Sequence, residues 1–216
     1  MFTVPYILQN FAFSTNYLLS SKPLLISSDN SQAKMTDYEF NQWFTGFADG
    51  ESNFYIAIQK TVISFRFGIK LHIDDKEALE FIKYRLNCGN IFTHPDLRSA
   101  SFELNNISDI KTILIPLFDK FPLNGVKYLD YLAFKKAIDI KFDESISKSK
   151  KLELITALKD SMNTKRVNFD TPSSHTIRIT PYYLLGLIEG EGTFCLENPK
   201  PWEFLSLLVL LQLKRL

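Results

Sequence analysis

A short segment of this chain occurs twice, and the repeat constrains the fold more than any other feature. The first copy is FTGFADGESNF, which begins at Phe44, and the second is LLGLIEGEGTF, which begins at Leu184. Matched positions lie 140 residues apart throughout. A repeat with one structural unit per copy predicts a molecule with pseudo-twofold symmetry.

Each copy contains two glycines four residues apart. They are Gly46 and Gly50 in the first copy and Gly186 and Gly190 in the second. Glycines at this spacing share one face of a helix and leave it bare, so that two helices can approach backbone to backbone. The repeat therefore predicts that a helix over residues 37–50 packs against a helix over residues 181–190.

Each copy also carries two acidic residues at the C-terminal end of its predicted helix. They are Asp49 and Glu51 in the first copy and Glu189 and Glu191 in the second. One acidic helix end is usually a solvated terminus, but negative charge is unfavourable there, so its repetition indicates a use for the charge. If the helices pair, Glu51 and Glu191 meet at the pseudo-twofold axis. Converging carboxylates bind hard divalent ions such as Mg²⁺ or Mn²⁺, which can promote phosphodiester hydrolysis.

The residues between the two copies predict an α+β unit of order αββαββα with two trailing helices. A capping box from Thr36 to Glu39 starts the first helix. We expect strands near 52–59, 63–73, 90–94 and 98–104, a second helix from about 74 to Gly89, and later helices near 108–118, 127–141 and 148–163. Strict alternation of apolar and polar residues in the first two strands predicts a hairpin with one buried face.

The polar face of the predicted sheet is a candidate nucleic-acid surface. Between Glu51 and Asp74 the sequence contains no acidic residue. The candidate contact residues are Ser64, Arg66, Lys70, His72 and, from the second hairpin, Arg98. Arg66 and Lys70 suit contacts to bases or phosphates. An ordinary solvated face is the alternative, and the acid-free alternation favours binding.

Composition excludes several protein classes. With 45% hydrophobic residues, the chain can bury a sizeable core and is not typical of disordered proteins. The net charge of +1 gives no overall basic signal, so any nucleic-acid footprint must come from charge placement. Cys88 and Cys195 fit neither a metal site nor a disulfide framework, and we expect a reducing compartment. The most apolar run, 204–213, has about half the length that a bilayer requires, so we expect no membrane partner.

The two repeated segments resemble the paired signature motifs of the LAGLIDADG homing endonucleases, which are encoded in organellar introns. The stretches IKLHIDDKEALEFIKYRLNCGNI and FPLNGVKYLDYLAFKKAID also resemble this family, particularly its single-chain members from fungal mitochondria. The likeness covers about residues 37–197. It implies a saddle of antiparallel strands in the major groove of double-stranded DNA, metal-dependent cleavage of both strands, a monomer in the complete double-motif form, and a mitochondrial location.

The resemblance also assigns roles to individual residues. Glu51 and Glu191 hold the positions of the essential metal-binding acids, one per motif, with Mg²⁺ or Mn²⁺ as the ion. Lys127 falls near a basic residue that the family places at the edge of the active site. An exposed lysine at a helix start is an equally good interpretation of Lys127.

Two departures from the family pattern shape our expectations. Ser52 stands where the family usually has glycine, and only 25 residues follow Glu191, whereas the first copy uses more than about 100. The leucine-rich tail lacks strand alternation, so we expect an incomplete second repeat. We divide the chain into a leader or fused segment (1–35), a first LAGLIDADG domain (36–164), and a linker with the incomplete repeat (165–216).

Three functions remain open at this point. The first is a site-specific DNA endonuclease, and the second is a splicing cofactor that binds intron RNA with the same fold. The third is an inactive and unstable remnant, because the short second half would leave the first sheet without its partner. A single sheet would also halve the phosphate contacts, so we expect a chain of this length to bind DNA weakly and not to cleave it.

Overall fold

The computed structural model describes residues 35–95, 98–192, 194–195 and 208–209. The expected leader, apart from Met35, lies outside the described residues. No helix in the described part of the chain is long and apolar enough to cross a membrane.

The described elements form an α+β fold in the predicted order αββαββα, followed by further helices. The helices are α1 Asp37–Glu51, α2 Lys76–Leu86, α3 Ile107–Asp109, α4 Ile115–Lys120, α5 Lys127–Phe142, α6 Lys148–Asp160 and α7 Pro181–Glu191. The strands are β1 Ser52–Gln59, β2 Val62–His72, β3 Asn90–Thr93, β4 Ser99–Leu104, β5 Phe194–Cys195 and β6 Leu208–Val209. A π-helical turn, Ile110–Leu114, joins α3 to α4, so the third predicted helix is one continuous helical segment.

The first four strands form an antiparallel sheet of order β1-β2-β4-β3. Burial along β2 alternates as predicted: Phe65, Phe67 and Ile69 are buried, whereas Arg66 and Lys70 are exposed. The sheet therefore has an apolar face against the helices and a polar face toward solvent.

Aromatic rings dominate the core between the sheet and the helices. The Phe54 ring lies 5.2–5.9 Å from the rings of Phe67, Phe118, Tyr131 and Phe134. Each such pair contributes about 0.5–1.5 kcal/mol beyond the burial of its area. These ring contacts orient β1 and α5 relative to each other. Strand β1 begins next to Glu51, and α5 begins at Lys127.

Several boundaries differ from the sequence-based expectation for local reasons. Helix α2 ends at Leu86, not Gly89, because Asn87 adopts the left-handed conformation with φ 52°. Its predicted start at Asp74 is occupied by a 3₁₀ turn, Ile73–Asp75. Helix α6 ends at Asp160, and a 3₁₀ turn with positive φ at Asn163 follows it.

A short strand lies in the leucine-rich tail, whose sequence lacks alternation. Strand β6, Leu208–Val209, pairs antiparallel with β5, Phe194–Cys195. A continuous apolar run without alternation is also compatible with a strand, so the missing alternation did not exclude one. Like β1 after α1, β5 follows closely on α7.

Candidate active site

Helices α1 and α7 pack backbone to backbone through their glycines. A Cβ atom added to Gly46 would lie 1.9 Å from the carbonyl oxygen of Tyr183, and one added to Gly186 would lie 2.0 Å from that of Trp43. The two contacts are equivalent, because Trp43 and Tyr183 are also 140 residues apart. This reciprocity shows that the repeat builds a local pseudo-twofold axis.

Two reciprocal hydrogen bonds join the same helices. Trp43 Nε1 donates to Glu189 Oε2 at 2.7 Å, and the Tyr183 hydroxyl donates to Asp49 Oδ2 at 2.8 Å. The aromatic donor of each helix therefore binds the first of the two acids in the opposite motif, Glu189 in α7 and Asp49 in α1. Sequence analysis missed both donors, although their matched spacing of 140 residues was a usable signal.

Asp49 is a structural acid in this arrangement. Besides the Tyr183 hydroxyl, it accepts hydrogen bonds from the backbone N–H groups of Asn124 at 2.6 Å and Gly125 at 3.2 Å. Burial raises the pKa of Asp49 to about 6, and these hydrogen bonds oppose the rise. The charge that looked unfavourable at the helix end thus anchors the loop before α5.

Glu51 and Glu191 come together at the ends of the paired helices. A Cβ atom added to Gly190 would lie 3.3 Å from Glu51 Cγ, and one added to Gly50 would lie 2.9 Å from Glu191 Cγ. Burial raises the pKa of Glu51; the charge of Lys127 opposes this rise, and that of Glu191 adds to it. Glu51 is half-buried and Glu191 is exposed. The carboxylates therefore face the same small region beyond the helix ends.

Lys127 lies beside both acids. Its Nζ donates to the backbone carbonyl of Gly50, one residue before Glu51. Burial lowers the pKa of Lys127, and the charges of Glu191, Asp49 and Glu51 oppose this effect. The side chain is half-buried against the end of α1, which differs from the exposed helix-start lysine that the sequence left open.

The donor set suits an ion shared with a substrate. Among the residues that the structure describes, no group of three or more His, Cys, Asp or Glu side chains could hold a metal ion by itself. Mg²⁺ usually binds through one or two carboxylates and completes its shell with water and substrate phosphates. Two converging carboxylates open to solvent fit that mode of binding.

All five candidate contact residues, Ser64, Arg66, Lys70, His72 and Arg98, are exposed. The first four lie on the polar face of β2, whereas Arg98 precedes β4 and is outside the strands of the sheet. His72 Nδ1 lies 3.2 Å from a carboxylate oxygen of Asp74, beyond the end of β2. Strand β1 begins at Ser52, directly after Glu51 at the end of α1, so the sheet starts beside the first of the two acids.

One acid on this face was missed. In the sheet register, Glu103 of β4 lies opposite Gly68 of β2, on the polar side. The first hairpin lacks acids as predicted, but the whole face is not acid-free. Alternation along β4 places Ser99, Ser101 and Glu103 on one face, which was a signal available in the sequence.

Comparison with known proteins agrees with this architecture. A family model described as LAGLIDADG endonuclease matches residues 44–138. The "Probable intron-encoded endonuclease Cox1-I1b" of Schizosaccharomyces pombe is 32% identical over 184 residues, which are 82% of this chain and 46% of that protein. The mitochondrial protein RF1 of Saccharomyces cerevisiae is 29% identical over 182 residues, 82% of this chain and 37% of that protein.

A solved structure shares the fold. The LAGLIDADG meganuclease I-CpaMI, bound to uncleaved DNA, matches with a TM-score of 0.62 and 28% identity over 71% of this chain and 59% of that chain. The chain spans less than half the length of the two curated relatives above. The matched family model, the relatives and the shared fold show that the chain belongs to the LAGLIDADG endonuclease family.

Proposed function

We propose that this chain carries the site of a site-specific endonuclease that hydrolyses phosphodiester bonds of double-stranded DNA with a divalent metal ion. The observation that supports this most strongly is the convergence of Glu51 and Glu191 beside Lys127. Because the chain spans only part of its relatives, the proposal concerns the chemistry of this site.

Glu51 and Glu191 would hold Mg²⁺ or Mn²⁺ together with oxygens of the scissile phosphate. Such an ion, when bound, activates a water molecule and stabilises the leaving oxygen. The raised pKa of Glu51 reflects the burial of its carboxyl and the nearby charge of Glu191, and a cation relieves both effects.

Lys127 would supply positive charge at the entrance to this site. The amine is held at the Gly50 carbonyl, so its position relative to Glu51 is set by the backbone of α1. A fixed cation near the acids lowers the electrostatic cost of bringing a phosphate toward two carboxylates.

The polar face of the sheet would bind the DNA that reaches the site. A two-stranded antiparallel ribbon fits the major groove, and exposed Arg66 and Lys70 can contact base edges or phosphates there. The I-CpaMI structure was solved with DNA, which supports the same partner here. Intron RNA is the alternative partner.

The location we propose is the mitochondrion. Its support is the named mitochondrial relative, which matches over 82% of this chain.

The central test replaces Glu51 and Glu191, one at a time, by glutamine, which has nearly the same shape but no charge. We expect Glu51→Gln and Glu191→Gln each to reduce metal-dependent cleavage by at least about 100-fold while DNA affinity changes little, because the binding face lies elsewhere. The assay measures nicking and double-strand cleavage of an intronless target in Mg²⁺ buffer. Cleavage is measured with a longer reading frame that contains this chain, and DNA affinity with both proteins, because we expect a chain of this length to bind DNA weakly and not to cleave it.

The matched control is Glu80→Gln, which neutralises an exposed acid on α2 that is paired with Lys76. It should cleave like the unsubstituted protein. Normal cleavage by either Glu51→Gln or Glu191→Gln would refute the assignment of these residues as metal ligands. Binding to intron RNA with no DNA cleavage at any Mg²⁺ or Mn²⁺ concentration would favour the splicing cofactor.

A further inference from the structure

The polar face of the sheet carries one contact between opposite charges. Arg66 Nη1 on β2 lies 3.5 Å from Glu103 Oε1 on β4. The Arg66 side chain is 44% exposed and that of Glu103 is 20% exposed, so both can be reached from outside. Glu103 is the only acidic residue in strands β1 to β4. An acid on a surface that binds polyanions needs a reason, because it repels phosphates.

Both side chains are oriented by further neighbours. The Arg66 guanidinium carbon lies 5.0 Å from the ring centroid of Tyr55, the residue directly opposite on β1. Glu103 Oε2 accepts a hydrogen bond from Asn105 Nδ2 at 3.3 Å. The guanidinium is therefore held between a ring and a carboxylate, and a side chain with a preset orientation loses less entropy when it binds.

The major-groove edge of a G·C pair has the complementary pattern. Guanine presents two acceptors, N7 and O6, and the adjacent cytosine presents a donor at N4. Arginine is the commonest bidentate partner of guanine, and glutamate accepts from cytosine N4. We propose that Arg66 and Glu103 together recognise one G·C pair, with Arg66 on guanine and Glu103 on cytosine. This inference rests on the proposed DNA-binding function and adds its first specificity determinant.

A base contact explains the acid better than a phosphate contact does. If Arg66 bound a phosphate, Glu103 would weaken that contact by repulsion and would gain no partner on the DNA. Lys70, four residues after Arg66 on β2, lies opposite Ser101 in the register and has no acid at that position. Lys70 therefore suits a phosphate, whereas Arg66 suits a base edge.

The test is selection from a randomised pool of DNA duplexes by the full chain, followed by sequencing of the bound fraction. The unsubstituted protein should enrich guanine over adenine at one position by roughly ten- to a hundred-fold, the range for one bidentate contact. Arg66→Gln should remove that preference and favour adenine there, because glutamine pairs with adenine N6 and N7.

Glu103→Gln distinguishes a base contact from a phosphate contact, because it should change sequence preference and overall DNA affinity in opposite directions. It should lower the guanine preference at that position while raising affinity for the unselected pool, because a negative charge leaves the face. The matched control, Lys70→Gln, should weaken binding to all duplexes and leave that preference intact. All three residues are on the sheet surface, so circular dichroism should show unchanged folding.

The inference is overturned if Arg66→Gln keeps the same preference, or if Glu103→Gln weakens binding to all sequences alike. Enrichment of sequences without an Arg66-dependent position would reject the G·C assignment and leave the DNA-binding function standing. Failure to enrich any duplex would reject DNA binding itself and the G·C assignment with it.

Discussion

The two helices of the pair carry the same motif in different surroundings. In α1, Asp49 accepts three hydrogen bonds, two of them from the backbone of the loop before α5. In α7, the matched Glu189 accepts a bond from Trp43, and among the described residues no backbone N–H group donates to it. The motif itself therefore supplies the helix contact and the acids. The anchoring of each helix to its own unit depends on residues outside the motif.

Burial shows the same difference. Nine residues of α1 are buried, whereas within α7 only Tyr183 and Gly186 are buried among the described residues. Helix α1 lies between the sheet and α7, so it is constrained from both sides. Helix α7 depends on its contact with α1 and on the linker that leads into it.

A buried amide attaches the linker just before α7. Asn124 Nδ2 donates to the carbonyl of Arg178 at 2.9 Å, and the N–H of Arg178 donates to Asn124 Oδ1 at 2.9 Å. The backbone N–H of Asn124 is also held by Asp49. One residue thus connects the end of α1 with the segment just before α7, and through it the two motifs are coupled.

The largest expected effect comes from breaking the helix contact. Gly46→Ala and Gly186→Ala should each lower the free energy of unfolding by about 3 kcal/mol or more, because the new methyl group would overlap a backbone carbonyl that cannot rotate away. Urea denaturation followed by circular dichroism measures the loss. The two costs should be similar, since the contacts are reciprocal.

Gly68→Ala is the control for this pair. A Cβ atom at Gly68 would lie 3.6 Å from the carbonyl oxygen of Phe102, an ordinary contact. Its stability should stay within about 1 kcal/mol of the unsubstituted protein. If Gly46→Ala were no more harmful than Gly68→Ala, the close approach of α1 and α7 would be wrong.

A second expected effect sharpens the contrast between the two matched acids. Asp49→Ala should cost about 3 kcal/mol, because it leaves two buried N–H groups and a hydroxyl without their acceptor. Glu189→Ala should cost only about 1 kcal/mol, because it removes one bond from Trp43. Equal losses in urea denaturation would show that the two helix ends are anchored alike.

Much of the fold followed from periodicity in the sequence. Alternation in β1 and β2 fixed which side chains are buried, since neighbouring residues of a strand point to opposite faces. The repeated glycines likewise identified which helices pair. These patterns are local and survive in any tertiary context that buries one face.

The parts that the sequence did not reveal depend on contacts between distant residues. The place of Glu103 beside Arg66 requires the register between β2 and β4, which joins residues 37 positions apart. The role of Asp49 depends on a loop 75 positions later. Neither acid carries a local signal that separates a structural partner from a solvated side chain.

The smallest expected effect compares two adjacent tyrosines on α7 that both donate to acids of α1. Tyr183 donates to buried Asp49, and Tyr182 donates to Glu39 at 2.7 Å near the surface. Tyr183→Phe should lower the free energy of unfolding by about 1–2 kcal/mol, because a buried carboxylate loses one of its three donors. Tyr182→Phe should show no measurable loss, since water replaces the hydroxyl. A double-mutant cycle decides the cause: in an Asp49→Ala background, Tyr183→Phe should cost much less than alone. An unchanged cost in that background would mean that the hydroxyl acts through some contact other than Asp49. The Tyr183–Asp49 hydrogen bond would then contribute nothing to the free energy of unfolding.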